Sequence, residues 1–337
     1  MKKLFIVLIV LLLAVFFISL TLGNYDITCK DMYSLFQFYF FDKNVDNPDS
    51  LMLIRSIIFD IRLPRLLAAI LIGASYAIAG ASFQAMFINP LVSPGILGAL
   101  SGSAFGAALA ISFFDSWILT QLFAFAFGIV AVLFAIFITY IYQSKSNSTL
   151  ILILGGIISG SFFSTLLSIV KYTADPYDKL PSIVYWLMGS LASVDLNDIF
   201  IYSIPILIGI FSLLLMSKYL NILSFGEEEA KSLGVNVKLI RIVVIMFATL
   251  ISALSVAIGG MIGWIGLIIP HFARLLVGPN NIVLLPTVAL MGSIFLMVVD
   301  DFSRLLLEIE IPIGILTSLI GIPIFIFVLK SSKKGLN

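Results

Sequence analysis

Residues that could carry acid–base, redox or metal chemistry are scarce in this chain of 337 residues. It has one cysteine, Cys29, and one histidine, His271. A single thiol cannot form an intrachain disulfide, and no His/Cys cluster is available to bind a metal. His271 could ligate haem, but a lone histidine next to a proline is more often structural. No acid–base pair or activated nucleophile can be assembled at membrane depth, so we expect a protein that is not an enzyme and holds no cofactor.

Motifs for energy coupling are also missing. No Gly-x-x-x-x-Gly-Lys-[Ser/Thr] segment occurs, so this chain is not expected to bind ATP through a P-loop. Proton and sodium relays in membranes are normally built from buried carboxylates and histidines. The apolar stretches contain almost none, and Asp300 and Asp301 lie near the end of one stretch. A transporter driven by ion coupling is therefore disfavoured.

One short charged segment, residues 226–234 with the sequence GEEEAKSLG, lies between long apolar stretches. As a helix it would have a small apolar face from Ala230 and Leu233 and an i,i+4 pair between Glu227 and Lys231. Gly234 would end the helix, in a left-handed conformation. Such a helix at a membrane surface fits a groove of another protein. The alternative is an ordinary connecting loop.

Composition defines the elements that must hold these residues. Hydrophobic residues make up 61% of the chain and charged residues 11%, with a mean hydropathy of +1.17. Soluble domains contain about 25% charged residues, so the sequence predicts an all-α membrane protein that crosses the bilayer many times. The net charge of +1 argues against a nucleic-acid-binding role. The ten predicted spans are 4–22, 64–87, 95–114, 117–142, 149–172, 199–219, 238–260, 264–277, 283–305 and 312–329.

An even number of spans puts both termini on one side of the membrane. Lysine and arginine are more frequent near the span ends on the side of the N-terminus, which favours a cytoplasmic location for the termini and for segment 227–234. We expect residues 4–22 to be a retained first span, because no small-residue cleavage site follows them. The outer segment 171–198 contains the apolar group 183–188, which is typical of a short amphipathic helix.

Two sequence patterns concern helix packing and symmetry. Small residues recur at four-residue spacing in the ladder of Gly98, Gly102 and Gly106, which allows close helix contact in lipid. A second group has a small, hydroxyl-bearing face that would also suit the wall of a pathway; it comprises Gly156, Ser159, Gly160 and Ser164. In addition, Gly80 precedes Pro90 by ten residues, as Gly260 precedes Pro270, in spans of opposite direction. This spacing is typical of an inverted-repeat transporter or arises by chance.

An ordered set of motifs runs across nearly the whole chain: Arg62-Leu-Pro-Arg65; Gly80-x-x-x-Gln84-x-x-x-x-Asn89-Pro90-Leu91-x-x-Pro94-x-x-Leu97-Gly98; Trp186-x-x-Gly189-Ser190; Gly226-Glu-x-x-Ala-x-x-Leu-Gly234; Gly263-Trp-Ile-Gly-Leu-x-x-Pro-His271-x-x-Arg274; Leu284-Leu-Pro286; and Glu310-x-Pro-x-Gly314. In this ordered set the chain resembles the permease subunits of type II ABC importers, which take up iron–siderophore complexes, haem and cobalamin.

The resemblance implies a single permease domain, 1–337, in the cell membrane of a bacterium or archaeon. It implies a homodimer, or a heterodimer with a paralogue, that works with two copies of a separate ATPase, which binds the ATP, and with an extracytoplasmic binding protein. It further implies a cytoplasmic coupling segment at about 221–237 and an outer gate segment at about 181–194. The predicted cargo is an iron–siderophore complex, or haem or cobalamin.

Residue roles follow from the same resemblance. Coupling to the ATPase falls to Glu227, Ala230, Leu233 and Gly234. Docking of the binding protein falls to Arg62, Arg65 and Arg304, the last matched through Asp300-x-x-x-Arg304. The pathway, lined in relatives by the fifth and tenth spans, falls to Gly156, Ser159, Gly160, Ser164, Trp186 and Gly189. The alternative class is a self-contained secondary carrier or channel, in which segment 227–234 is only a loop.

Overall fold

The computed structural model describes residues 2–23, 25, 27–41, 48–142 and 148–333, and these residues form helices joined by turns. The α-helices are α1 (Lys2–Thr21), α2 (Cys29–Phe41), α3 (Pro48–Ser56), α4 (Leu63–Met86), α5 (Ala99–Phe113), α6 (Trp117–Tyr142), α7 (Ser148–Thr173), α8 (Lys179–Met188), α9 (Leu196–Leu215), α10 (Ser217–Leu223), α11 (Glu227–Ser232), α12 (Val237–Gly259), α13 (Ile265–Val277), α14 (Asn281–Leu305) and α15 (Ile313–Lys333). A π-helical turn, Ile57–Arg62, joins α3 to α4, and a 3₁₀ turn, Pro94–Leu97, precedes α5.

The predicted spans all correspond to helices. In the described part of the chain, seven helices are long and apolar enough to cross a membrane, and three shorter apolar helices match the remaining spans. The shorter ones are Ala99–Phe113, Ile265–Val277 and Ile313–Ile326. A helix of 13 residues rises about 20 Å at 1.5 Å per residue, which is less than the hydrocarbon thickness of about 30 Å. Helix α13 can be this short because much of it packs against protein rather than lipid; its buried residues are Ile265, Gly266, Ile268, Ile269, Pro270 and Ala273.

Helix α4 forms the centre of the fold, because small residues let its neighbours approach closely. A Cβ atom at Gly73 would lie 2.2 Å from the carbonyl oxygen of Gly292 in α14. A Cβ atom at Gly80 would lie 1.9 Å from the carbonyl oxygen of Gly266 in α13. Backbones can approach this closely only where both helices carry glycine. Glycine spacing in α4 therefore fixes how α13 and α14 pack.

Gln84 explains part of the first long motif. Its buried amide nitrogen donates hydrogen bonds of 3.2 Å to the carbonyl oxygens of Val92 and Gly266. One bond holds the turn that follows α4, and the other joins α4 to α13. The two halves that share the Gly–Pro spacing thus contact each other directly through Gly80, Gln84 and Gly266.

Residues that share a membrane side by the predicted topology also group together in the structure. At one end, Lys179 of α8 pairs with Asp115, which follows α5, and Arg65 of α4 pairs with Asp300 of α14. At the opposite end, α11 contacts α12, and Asn221 of α10 donates a 2.8 Å hydrogen bond to Asn280 before α14. We refer to these as the α8 end and the α11 end. The apolar group 183–188 lies in α8, as predicted.

Candidate functional sites

Helix α11 is a single charged turn at the α11 end. Glu227 and Lys231 form the predicted i,i+4 pair, with 2.9 Å between Oε1 and Nζ. Gly226 (φ +119°) precedes the turn and Gly234 (φ +77°) follows it, and both values belong to the region that favours glycine. The left-handed conformation predicted for Gly234 is confirmed. These contacts make segment 226–234 a defined helix with a fixed start and stop.

Glu227 also ties α11 to the membrane helices. Its Oε2 atom lies 2.9 Å from Nη2 of Arg241 in α12, and the same guanidinium donates a 2.8 Å hydrogen bond to the hydroxyl of Thr149 in α7. The hydrogen bond from Lys231, followed by the charge of Arg241, holds the pKa of Glu227 below its ordinary value, although partial burial opposes this. Sequence spacing gave no sign of Arg241 or Thr149, since both come from distant helices.

The two residues predicted to form the apolar face of α11 differ in their exposure to solvent. Ala230 is fully buried against its own chain, within the main hydrophobic core. Leu233 is 65% exposed. Ala230 thus anchors α11, and Leu233 is the apolar side chain presented outward. A role of Ala230 in coupling to the ATPase stays a prediction. The difference arises because the rotation of so short a helix is set by its contacts with α10 and α12.

A cavity of about 780 Å³ lies where α5, α8, α15 and the α12–α13 turn meet. None of the described side chains that line it is charged; they include the hydroxyls of Ser101 and Ser318 and the thioethers of Met188 and Met261. Helix α15 was predicted to line the pathway, and it forms one wall. This neutral cavity is the strongest candidate for part of a translocation pathway.

Gly189 joins three elements beside this cavity. Its backbone has φ +77°, and its carbonyl oxygen accepts a 3.0 Å hydrogen bond from the backbone nitrogen of Ile313 at the start of α15. The next residue, Ser190, donates its backbone N–H to the carbonyl oxygen of Gly259 in α12, at 3.0 Å. Trp186 is buried one turn earlier and lines a second cavity, of about 480 Å³. Movement of α8 would therefore reach α12 and α15 directly.

The four small residues predicted for the pathway wall have different surroundings. Ser159 is fully buried and donates a 2.6 Å hydrogen bond to the carbonyl oxygen of Ala131. A Cβ atom at Gly156 would lie 2.2 Å from the carbonyl oxygen of Ile96. These two residues serve helix packing within the chain, and their assignment to the pathway wall stays a prediction.

Gly160 and Ser164, by contrast, lie nearer the cavity. The Ser164 hydroxyl is 3.3 Å from that of Ser101, which lines the cavity, and Ser164 is exposed. Helix α7 therefore approaches the cavity through its Ser164 face rather than through Ser159.

The three predicted docking arginines are buried at the α8 end. Arg62 (4% exposed) donates hydrogen bonds to the carbonyl oxygens of Leu20 and Tyr25, at 2.8 and 2.6 Å. Arg65 (2% exposed) pairs with Asp300 at 2.7 Å and with Glu310 at 2.8 Å. Both side chains thus bind groups of their own chain.

Arg304 completes the cluster. It lies 3.2 Å from Asp300, also pairs with Asp301, and donates a 2.9 Å hydrogen bond to the carbonyl oxygen of Leu22. Arg65 and Arg304 pair with the three carboxylates, so their positive charges are compensated within the chain. Its geometry joins α1, α4, α14 and the segment before α15. Docking of a binding protein by these arginines stays a prediction. Their contacts within the chain show that they also hold neighbouring helices together.

In the part of the chain that the structure describes, no three His, Cys, Asp or Glu side chains are grouped so as to hold a metal ion. The apolar helices, the neutral cavity and the charged surface helix are compatible with the membrane-spanning subunit of a transporter. Residues 11–331 match the family described as the FecCD transport family, and the chain belongs to that family.

The similar proteins are named for several different cargoes. The molybdate import permease MolB of Haemophilus influenzae is 44% identical over 286 residues, which cover 84% of each chain. A probable iron chelatin permease of Helicobacter pylori is 38% identical over 273 residues, 81% of this chain and 82% of that one. A solved structure, described as an inward-facing ABC transporter of the metal-chelate type, superposes with a TM-score of 0.86 at 38% identity and covers 98% of this chain and 100% of the other.

The family and the helices together establish a multi-pass protein of the cell membrane and the transport subunit of an ABC importer. ABC permeases of this kind work with an ATPase and a substrate-binding protein.

Proposed function

We propose that the chain is the permease of an ATP-driven importer for an iron–siderophore complex, with haem or cobalamin as related cargoes of the same class. The observation that carries this proposal is the neutral cavity lined by Ser101, Met188, Met261 and Ser318. A chelator brings its own metal ligands, so its pathway needs apolar and hydroxyl surface rather than metal-binding side chains. The chelate cargoes of two relatives with 38% identity support the same class.

Molybdate is a second candidate, because a molybdate permease is 44% identical. A bare oxyanion is favoured by cations or by several N–H donors. The described side chains of the cavity offer hydroxyl donors but no cation. The lining therefore favours a chelate over molybdate.

We further propose that two permease copies, as homodimer or heterodimer, work with two ATPase subunits that bind the ATP, while this chain itself catalyses no reaction. In this proposal residues 1–337 form one permease domain. Segment 221–237, which contains the end of α10 and all of α11, contacts the ATPase. Segment 181–194, which contains most of α8, gates the cavity at the other end. Leu233 is the contact residue, Glu227 and Ala230 fix the orientation of α11, and Gly234 directs the chain into α12.

The coupling role is tested by Leu233→Asp. Leu233 is 65% exposed, so a carboxylate there is compatible with folding but would be buried unpaired in an ATPase groove. We expect the ATPase to dissociate, or its substrate-stimulated hydrolysis in proteoliposomes to fall at least tenfold. Ile309→Asp is the matched control, because Ile309 is 83% exposed at the α8 end. Normal association and hydrolysis in Leu233→Asp would instead favour the alternative, a self-contained carrier with an ordinary loop.

The cargo is tested by competition in the same proteoliposomes. Uptake of a labelled ferric siderophore should persist in the presence of excess molybdate, whereas labelled molybdate should not accumulate. Molybdate uptake that depends on ATP and on the binding protein would overturn the chelate assignment while leaving the importer class intact.

A further inference from the structure

A cavity of about 940 Å³ opens between α6, α7 and α12 at the α11 end, apart from the proposed pathway. One wall is a single face of α6: Ile129, Val132, Leu133, Ile136, Thr139 and Tyr140. The opposite wall is a single face of α12: Lys238, Arg241, Ile242, Ile245, Met246 and Thr249. Each face covers eleven residue steps, or about 16 Å at 1.5 Å per residue. The cavity therefore runs from the membrane surface through about half of the hydrocarbon thickness, which is one leaflet.

The surface rim of this cavity is positive. Lys231, Lys238 and Arg241 line it together with one carboxylate, Glu227, so three positive charges face one negative charge, a net charge of +2. The amino end of α12 also points here, and Asn236 accepts a hydrogen bond from only one of its first backbone nitrogens, that of Leu239. A helix amino end attracts anions. Both features are complementary to a phosphate group.

Below the rim the walls are apolar and open sideways. Leu133 is 58% exposed and Met246 is 51% exposed in this chain, although they lie at membrane depth. Ile245 and Val132 form the buried base. At the deep end, Thr249 is 4% exposed and its hydroxyl has no hydrogen-bond partner among the described residues. Tyr140, on the rim, is 78% exposed, as is typical of aromatic side chains at headgroup level.

We propose that this cavity binds one anionic phospholipid, with its phosphate on Lys238 and Arg241 and an acyl chain along Leu133 and Met246. Basic pockets between membrane helices on the cytoplasmic side suit anionic headgroups. The length of the apolar part fits an acyl chain in one leaflet, and the rim charge selects anionic over zwitterionic headgroups. Because Arg241 also holds Glu227, the bound phosphate would share the cation that fixes α11.

The test uses the purified full-length chain and native mass spectrometry, with phosphatidylglycerol and phosphatidylcholine of identical acyl chains. We expect retention of one phosphatidylglycerol per chain in preference to phosphatidylcholine. Lys238→Gln should lower this preference about fivefold, the effect of one lysine near an anionic surface. Lys171→Gln, in α7 at the opposite end, is the matched control and should leave the preference unchanged. Met246→Trp should fill the apolar part and reduce retention of both lipids.

Three further outcomes decide the proposal. Competition by millimolar inorganic phosphate alone would show that the rim binds free phosphate rather than a lipid, and would overturn it. Equal retention of the two lipids, unchanged by Lys238→Gln, would also overturn the proposal. Loss of bound lipid only when the ATPase is added would overturn it too, because it would assign the rim to the protein partner. Preference lost in Lys238→Gln and kept in Lys171→Gln supports the site, whether or not the proposed cargo is correct.

Discussion

Arg65 is the residue on which the α8 end depends most. It lies in α4 and binds both Asp300 in α14 and Glu310 in the segment before α15. The Asp300 side chain is fully buried, so its charge depends on these arginine contacts. The pair contributes less net stability than its contacts suggest, because both groups lost their hydration on burial. Removing one partner is nevertheless costly, since it leaves the other charge buried without compensation.

Arg65→Ala should therefore lower the free energy of unfolding by about 3–5 kcal/mol. Lys179→Ala is the matched control, because its pair with Asp115 lies at the protein surface and is screened by solvent. Thermal unfolding of the full chain in detergent measures both. A loss in Arg65→Ala no larger than that in Lys179→Ala would contradict the structural role and return Arg65 to the docking assignment.

Glu227 gives a second prediction at this scale, in its dependence on pH. Because the folded-state pKa lies below the ordinary value of about 4.3, the contacts with Lys231 and Arg241 are fully present above that value and are lost as pH falls through the lowered pKa. Hydrogen-exchange protection of segment 227–234 should be constant from about pH 5 to 8 and should fall below about pH 4. Glu227→Gln should show low protection throughout. An equally strong acid-induced loss in that variant would identify another group as the cause.

Local spacing predicted some of these residue contacts and not others. The Glu227–Lys231 pair and the left-handed Gly234 follow from positions within one turn, which sequence determines directly. The burial of Ala230 and of the three arginines depends on which distant helices pack against them. Asp300 lies 235 residues from Arg65, and no motif spacing reports such a contact.

At the scale of helices, α4 is held by close glycine contacts in addition to buried large side chains such as Phe83 and Ile72. In lipid the hydrophobic effect does not bring helices together, so close backbone packing supplies the attraction. Gly73 and Gly292 face each other so closely that neither position has room for a methyl group. Hydropathy predicted where these helices run, because a span needs about 20 apolar residues. It could not predict which faces meet.

Gly73→Ala should disturb the α4–α14 contact and cost about 1–3 kcal/mol of stability, the usual effect of overpacking. Gly263→Ala is a matched control, because a Cβ atom there would have nothing within 4 Å and its φ is not positive. Yield after size-exclusion chromatography and the unfolding temperature would measure the difference. Similar behaviour of the two variants would show that the contact adjusts without cost.

For the whole molecule, the fold class follows from the sequence, the orientation in the membrane stays a prediction, and the cargo does not follow from the sequence. All ten apolar stretches correspond to helices. The short α13 is shielded from lipid because it packs against α4 and α14. In the proposed importer the pathway also needs surfaces from a second permease copy and from partner subunits, which a single sequence does not specify. Ion pairs nevertheless distinguish the two ends, because the charged side chains at the α8 end pair with one another, and so do those at the α11 end.

The final prediction concerns the orientation of these ends in the membrane. The predicted topology suggests Asn147 and Asn337 as labelling positions, but both lie outside the residues that the structure describes. Exposed residues in the described part of the chain are therefore preferable. On a Cys29→Ser background, Tyr177→Cys (93% exposed in the native side chain) reports the α8 end and Ser232→Cys reports the α11 end. In cells lacking the ATPase, a membrane-impermeant maleimide should label Tyr177→Cys from outside and Ser232→Cys only after permeabilisation. The positive-inside bias requires this order, because the basic rim of α11 and α12 belongs on the cytoplasmic side. Labelling of Ser232→Cys in intact cells would invert the topology and, with it, the face offered to an ATPase.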